Sequence, residues 1–264
     1  MIRTWVDSYC AEWMKLRRMP VAWISGLSGV LIAGFLFFVF AFKGDMGSNV
    51  PSNPWDGFFA LSITVFGMLI GPFIILVTHG VVHLEHQTSS WKSLYTLPFD
   101  RAAIFFPKSA VILTLVLSIY VVFGLSILLS GLLLGIVVPS FGFLKYVPEF
   151  SFLFNRLAHL FFAGVGMIGL QYWISFRWDN YLVPISIGFI GYLASMFTVG
   201  KSDFAFIIPY CYPVFISLGL GSGDIGRIGL EWWGALTNIE GYSFLAFLLF
   251  LATGYHQESR KEIR

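Results

Sequence analysis

Residues 57–84 read GFFALSITVFGMLIGPFIILVTHGVVHL, a largely apolar run without Lys, Arg, Asp or Glu. A helix needs about twenty apolar residues to cross the hydrocarbon core of a bilayer, so this stretch predicts a transmembrane helix. The whole chain has the same character, since 57% of its 264 residues are hydrophobic, 11% are charged and mean hydropathy is +0.80. A soluble fold could not cover that apolar surface with so few charges. A soluble enzyme, a nucleic-acid-binding protein and a disordered linker are therefore excluded.

Further apolar runs predict an all-α integral membrane protein with six transmembrane helices in one domain, residues 1–264. A seventh run, Phe204–Leu220, is shorter and contains Pro209 and Pro213. Irregular backbone at membrane depth is tolerated where protein surrounds it, so this run predicts a re-entrant segment before the sixth span. The six predicted spans are Val21–Phe42, Gly57–Leu84, Ser109–Val138, Leu153–Phe176, Tyr181–Val199 and Gly241–Tyr255.

The basic residues predict the orientation, because short cytoplasmic loops carry an excess of Lys and Arg. Six spans place both termini on one side, together with the loop between the second and third spans. That side carries eleven basic residues and the other carries five, so both termini are predicted to be cytoplasmic. The eleven are Arg3, Lys15, Arg17, Arg18, Lys92, Arg101, Lys108, Arg177, Arg260, Lys261 and Arg264; the five are Lys43, Lys145, Arg156, Lys201 and Arg227.

Residues 1–19 predict an amphipathic helix that lies in the membrane interface. Apolar side chains recur there at helical spacing, with Asp7, Glu12 and Lys15 between them on the expected polar face. Such a helix acts either as a simple surface anchor or also as a contact for a cytoplasmic partner. The residues expected to hold it at the interface are Trp5, Tyr9, Trp13, Arg17 and Arg18.

Three histidines near the end of the second span form a candidate metal site. His79, His83 and His86 are spaced i, i+4, i+7 and so share one helix face, where they could bind Zn²⁺. The alternative is a set of polar side chains where a long helix leaves the bilayer. With no Cys ligands nearby, the sequence predicts no metal in this chain.

A second candidate is nucleophilic. Gly26-Leu27-Ser28-Gly29 has the form GxSG and resembles the nucleophile motif of rhomboid intramembrane proteases. With His159 as the base, Ser28 offers the alternative of an intramembrane serine hydrolase. Small residues within spans, however, more often let helices approach closely. The chain also has no GxxxxGK[ST] phosphate loop, so it does not bind ATP by that route, and we predict neither a cofactor nor a catalytic centre in it.

The long cytoplasmic connection reads EHQTSSWKSLYTLPFDR at residues 85–101 and is followed by a Lys at the next span. It resembles the hallmark of type-2 ABC exporter permeases: an acidic residue, Thr, Lys, a Leu-Leu-x-x-Pro-x-x-Arg phrase and Lys. Among the branches of that class, the chain is most similar to lantibiotic-immunity and bacitracin-type exporter permeases, which carry no fused ATPase. The matching residues are Glu85, Thr88, Lys92, Leu94, Pro98, Arg101 and Lys108, with Tyr95 in place of the second Leu.

The resemblance implies the transmembrane subunit of an ATP-driven exporter in the bacterial cytoplasmic (inner) membrane. It implies an amphipathic peptide, antibiotic or lipid-like substrate, moved out of the cytoplasm or the inner leaflet. The implied partners are membrane lipid, a second copy of this permease or a related one, and two cytosolic ABC ATPase subunits that bind ATP and Mg.

Residues 85–99 would be the coupling helix that contacts the ATPase. Trp91, Leu94 and Leu97 would enter a groove of the ATPase. Arg101 and Lys108 would bind lipid headgroups or cap the turn. The alternative is a membrane scaffold that recruits a cytosolic protein without transporting anything.

Overall fold

The computed structural model describes residues 2–17, 19–43, 53–87, 102–178, 180–201, 203–219 and 238–259, and these ranges contain helices and no strand. Short 3₁₀ turns, among them Pro139–Phe141, Phe143–Lys145, Asp203–Phe206 and Pro209–Cys211, connect the longer elements. The α-helices are α1 (Ile2–Leu16), α2 (Pro20–Lys43), α3 (Pro54–Gln87), α4 (Ala102–Val137), α5 (Phe150–Arg177), α6 (Leu182–Thr198), α7 (Tyr212–Ser217) and α8 (Asn238–Ser259).

The predicted all-helical membrane class is confirmed. Within the described ranges, α2, α3, α4 and α5 are long and apolar enough to cross a bilayer. Helix α6 is apolar but shorter, at 17 residues, and α8 coincides with the predicted sixth span. The count of six spans therefore stays a prediction.

The contacts between helix ends define two ends of the bundle. At one end, which we call the α1 end, Tyr172 and Phe176 near the end of α5 and Tyr255 near the end of α8 contact Phe105 at the start of α4. Helix α1 and the start of α2 lie at the same end, since α1 packs on the first turns of α4. The end of α3 joins them, since Gly80 lies against Val21 at the start of α2. Helix α1, the starts of α2 and α4 and the ends of α3, α5 and α8 therefore share one end of the bundle.

The opposite end is organised around Trp55, which is fully buried at the start of α3. Its indole Nε1–H donates to the carbonyl oxygen of Phe143 at 3.0 Å, and its ring packs edge-on against the Phe143 ring at 5.1 Å. A buried indole needs such an acceptor for its N–H. Trp55 thereby ties the start of α3 to the turns that follow α4.

Helices α2 and α4 run in the same direction and meet closely at Gly29. A Cβ at this position would lie 2.7 Å from the backbone nitrogen of Phe123 and 2.9 Å from the carbonyl oxygen of Ile119. Only a residue without a side chain permits that approach, as is common where membrane helices pack. The second glycine of the GxSG motif thus serves as a packing surface between two helices.

Helices α5 and α8 are held by a comparable contact that includes a hydroxyl. The Ser243 Oγ accepts from the Gly166 backbone N–H at 2.7 Å and lies 2.8 Å from the carbonyl oxygens of Phe162 and Ala163. A hydroxyl in hydrocarbon requires hydrogen-bond partners. These bonds fix the register of α8 along α5.

The predicted re-entrant segment folds into two short turns and the six-residue helix α7, and every residue from Pro209 to Ser217 is buried. Pro209 and Pro213 each lie in the first two positions of a helical turn, where a missing N–H is tolerated. The Tyr210 hydroxyl donates to Gln171 of α5 at 2.8 Å, and the Thr64 hydroxyl of α3 donates to the Ser217 carbonyl at 3.0 Å. The segment is therefore packed between α3 and α5.

The start of the third predicted span differs from the structure. We expected the span to begin at Ser109, whereas α4 begins at Ala102 and continues through Pro107. Its 36 residues give a length of about 54 Å, well beyond the roughly 30 Å of the hydrocarbon core. Because Phe105, Pro107 and Lys108 are buried against neighbouring helices, packing holds these added turns in helical form.

We predict that Gly29→Ala destabilises the protein by about 1–3 kcal/mol, because the added methyl would overlap the α4 backbone. The matched control is Gly26→Ala in the same motif, where a Cβ would meet nothing within 4 Å. That control should be neutral or slightly stabilising, since Ala favours helix over Gly. Thermal unfolding of both purified variants in detergent measures the difference, and equal midpoints would contradict this account of the α2–α4 contact.

Candidate functional site

The first two turns of α4 form the candidate site, because they directly follow the segment that resembles a coupling loop. Lys108 lies here with only 1% of its side chain exposed. Its Nζ donates to Oε2 of Glu12 in α1 at 2.9 Å, while Lys15 donates to Oε1 of the same carboxylate at 2.6 Å. One carboxylate of α1 therefore binds two ammonium groups, one of them at the start of α4.

The electrostatics of this cluster favour the charged carboxylate. Burial by itself raises the pKa of Glu12, but the charges of Lys108 and Lys15 and their hydrogen bonds outweigh burial, so the pKa lies below its usual value. A buried charge is tolerated when it is paired and hydrogen-bonded. Glu12 is thus ionised at neutral pH and acts as the counterion of Lys108.

Aromatic and hydroxyl contacts extend this attachment along α4. The Trp5 ring stacks on Phe106, with ring centroids 5.6 Å apart and planes at 15°. Two turns further along α4, the hydroxyls of Tyr9 and Thr114 lie 3.0 Å apart. The contacts recur along one face of α1, so that face lies on α4.

The same turns of α4 are also bound to the ends of α5 and α8. The Tyr172 hydroxyl donates to the Phe105 carbonyl oxygen at 2.7 Å, and the Phe105 ring packs against Phe176 at 5.3 Å. On α8, the Tyr255 ring lies 5.9 Å from Phe105 and 5.4 Å from Phe106. The start of α4 is therefore a hub that joins α1, α5 and α8.

Most residues of the predicted coupling helix fall outside the described residues. Residues 88–101 are not described, and for Glu85 and His86 only the helical backbone at the end of α3 is. Lys108 is the described residue of the matching set, and it was expected to bind lipid headgroups or cap a turn. The structure instead buries it against Glu12, because α4 starts earlier than expected and α1 covers this face. The residues not described here are Thr88, Trp91, Lys92, Leu94, Tyr95, Leu97, Pro98 and Arg101.

The predicted interfacial residues of α1 lie in two environments, one packed on α4 and one exposed. Tyr9 faces α4, whereas Trp13 and Arg17 are exposed, and Arg18 lies outside the described residues. Glu12 was expected on the polar face and is buried instead. The spacing in the sequence was consistent with this burial, because Trp5, Tyr9 and Glu12 lie at positions i, i+4 and i+7 and so share one face of α1. A second indication was Lys108, a basic residue beside an apolar span, which needs a counterion.

The histidines pack as an aromatic group where α3 approaches α6. The rings of His79 and His83 stack at 5.2 Å, and the Tyr181 ring lies 5.0 Å from His79 and 4.7 Å from His83. The His79 Nδ1 lies 3.3 Å from the Ser175 hydroxyl of α5. In the described ranges, no three His, Cys, Asp or Glu side chains come together as a metal site.

The structure gives the two residues of the hydrolase alternative separate partners. The Ser28 hydroxyl donates to the Ser25 carbonyl within α2. His159 on α5 pairs with Glu240 of α8. A nucleophilic serine requires its base within hydrogen-bond reach, and the hydrogen bonds of Ser28 and His159 do not join them. This geometry offers no support for a hydrolase.

Comparison with known proteins identifies the family. The family model described as ABC-2 family transporter protein matches residues 10–195, from within α1 to near the end of α6. The chain belongs to the ABC-2 transporter family. Searches of curated proteins and of solved structures found no match.

Membership of the ABC-2 family makes this chain a multi-pass transporter permease subunit. The family implies an ABC ATPase as a partner in general terms. The match includes the hub at the start of α4, with both Glu12 and Lys108 inside it. In this ABC-2 permease, the hub joins the start of the third long span, α4, to α1, α5 and α8.

We predict that Glu12→Gln lowers the free energy of unfolding by about 3 kcal/mol, since a buried ammonium would lose its carboxylate. The control is Lys15→Gln, whose parent side chain is 47% exposed on the same carboxylate and should contribute less than about 1 kcal/mol. Chemical or thermal unfolding in lipid nanodiscs compares the two variants. If Lys15→Gln lowered the free energy of unfolding as much as Glu12→Gln does, burial of the Glu12–Lys108 pair would not be the cause of the destabilisation.

The lowered pKa of Glu12 predicts a dependence on pH. The stabilisation by the Glu12 carboxylate is fully present above the ordinary Glu pKa of about 4.3 and is lost as pH falls through the lowered pKa of the folded protein. The stabilities of the wild type and Glu12→Gln should therefore differ at pH 7 and converge in acid. Unfolding midpoints measured for both proteins from pH 7 to pH 3 test this, and a constant difference would refute it.

Proposed function

We propose that this chain is the transmembrane subunit of an ABC exporter for an amphipathic peptide, antibiotic or lipid-like substrate, and that separate ATPase chains supply the energy. One observation carries the proposal. The first turns of α4, directly after residues 88–101, are bound to Glu12 of α1, Tyr172 of α5 and Tyr255 of α8. A force applied to the segment before α4 is transmitted through these contacts to three other helices.

Residues 85–99 serve as the coupling helix in this proposal. The connection from α3 to α4 leaves and rejoins the bundle at the α1 end, since Gln87 ends α3 and Ala102 begins α4 there. An ATPase that moved this connection on nucleotide binding would tilt α3 and α4 as a pair. The buried Glu12–Lys108 contact would carry α1 along with them, because breaking it would expose an uncompensated charge to the interior.

The proposed topology places the α1 end in the cytoplasm. The predicted excess of basic residues on that side supports this orientation, with Arg17 and Arg177 exposed at that end. Helices α6 and α8 complete six spans, and the buried segment from Pro209 to Ser217 is the re-entrant element. The membrane is the bacterial cytoplasmic (inner) membrane, and both termini are cytoplasmic.

The complete transporter would contain two permeases and two ATPases. A pathway between two permease copies, or between this chain and a related permease, would be lined mainly by apolar helix faces. Such a surface suits amphipathic or lipid-like cargo better than a small ion. This supports an amphipathic peptide, antibiotic or lipid-like substrate.

The test measures complex formation and ATP hydrolysis with the ATPase encoded beside this chain, in lipid nanodiscs. We expect the double variant Glu85→Ala/Lys92→Ala to weaken the complex, or the hydrolysis stimulated by the permease, by about tenfold or more, as loss of close interface charges does. The matched control is Lys145→Ala/Glu149→Ala, which removes the same two charges from the exposed turn after α4 at the opposite end. The control should behave as wild type.

Two results would overturn the proposal. The first is a wild-type chain that neither binds the ATPase nor alters its hydrolysis. The second is an equal effect of the two double variants, which would show that charge loss anywhere on the chain, and not contact at residues 85–99, weakens the complex.

A further inference from the structure

An apolar groove runs along the outside of the bundle between α2 and α3. It begins at Pro20, the first residue of α2, and continues to Leu31, with a volume of about 440 Å³. Phe73 of α3 forms the opposite wall. The two helices touch near the α1 end, where a Cβ at Gly80 would lie 2.6 Å from Val21.

The walls of this groove suit an apolar occupant. Apart from one hydroxyl they consist of aliphatic and aromatic side chains. That hydroxyl belongs to Ser28, which donates its proton to the Ser25 carbonyl within α2. A peptide or sugar in the groove would leave its polar groups without partners, which is costly in hydrocarbon.

The length of the groove matches one leaflet of a bilayer. Pro20 and Leu31 are eleven residues apart, which corresponds to about 16 Å along a helix. Half of a hydrocarbon core of roughly 30 Å is about 15 Å. The groove thus extends from the α1 end to about the middle of the membrane, as an acyl chain of that leaflet does.

The mouth of the groove is basic. Arg17 is exposed in the turn just before Pro20, and Lys15, two residues before Arg17, is paired with Glu12. Trp23, which lines the groove, is 68% exposed close to this end, where indoles prefer the level of the headgroups. A phosphate group at the mouth would meet positive charge while its acyl chain followed α2.

We infer that the groove between α2 and α3 binds one acyl chain of an anionic phospholipid whose headgroup phosphate lies at Arg17. Charge complementarity at the mouth and a depth of one leaflet specify this occupant. The site is separate from the hub at α4 and does not depend on an ATPase. It would make the packing of α2 on α3 sensitive to the lipid composition of the leaflet at the α1 end.

The experiment uses the purified full-length chain in nanodiscs with a phosphatidylglycerol that carries a photoactivatable diazirine on one acyl chain, followed by mass spectrometry of the labelled peptides. In the wild type, label is expected in the peptide that contains residues 20–31. Leu27→Trp, which fills the groove from an exposed position, should remove most of this label. The control Val30→Trp changes an exposed residue of the same helix that does not line the groove and should leave the label unchanged.

A second arm tests the headgroup. Arg17→Gln should lower labelling by phosphatidylglycerol about fivefold, as expected for one basic residue near a membrane surface, and should not change labelling by the matching phosphatidylcholine probe. Lys201→Gln, an exposed basic residue beyond the far end of α6, is the control and should have no effect.

Three results would overturn the inference. Label spread evenly over exposed residues of α2 would indicate bulk lipid. Equal labelling of the wild type by phosphatidylglycerol and phosphatidylcholine would show that the site does not select an anionic headgroup. A change of oligomeric state in Leu27→Trp, with lipid labelling intact, would show that a second copy of this chain covers the groove.

Discussion

The contact between Lys108 and Glu12 is the constraint on which the architecture of the α1 end of this permease depends. An ammonium group at the edge of a long apolar helix cannot be buried without a counterion, because desolvation alone would cost several kcal/mol. Helix α1 supplies that counterion and lies along α4 as a result. Helix α1 is therefore part of the folded bundle, in addition to being predicted to lie in the membrane interface.

The Glu12–Lys108 contact lies in the first turns of α4, where α1, α5 and α8 all contact α4. Phe105, three residues before Lys108, points its ring and its carbonyl oxygen at α5 and α8. A helix start normally has few partners in a membrane protein, since connecting loops are exposed. Here the first turns of α4 are enclosed on several sides. A movement of the start of α4 must therefore move these neighbours or break buried polar contacts.

A second feature of the bundle interior is a set of polar side chains that form hydrogen bonds from one helix to another. The Ser243 hydroxyl is bound to α5, and the Tyr192 hydroxyl of α6 donates to the Gly67 carbonyl of α3 at 3.0 Å. Gln171 joins α5 to the Pro184 carbonyl of α6 and to Tyr210. Without water as an alternative partner, such bonds fix which helix faces meet. They position the buried segment that the two prolines interrupt.

The sequence by itself determined the membrane class, the helical secondary structure and the location of the long spans, because each depends on local composition and length. It also indicated the permease family, through the spacing of residues in the connection before α4. Only the tertiary structure decided the role of particular side chains. Glu12 became a buried counterion, Ser28 bonded its own helix while Gly29 packed against α4, and α4 gained turns before Ser109. These outcomes depend on which helices lie side by side, and residues 96 positions apart, such as Glu12 and Lys108, carry no local pattern that encodes their contact.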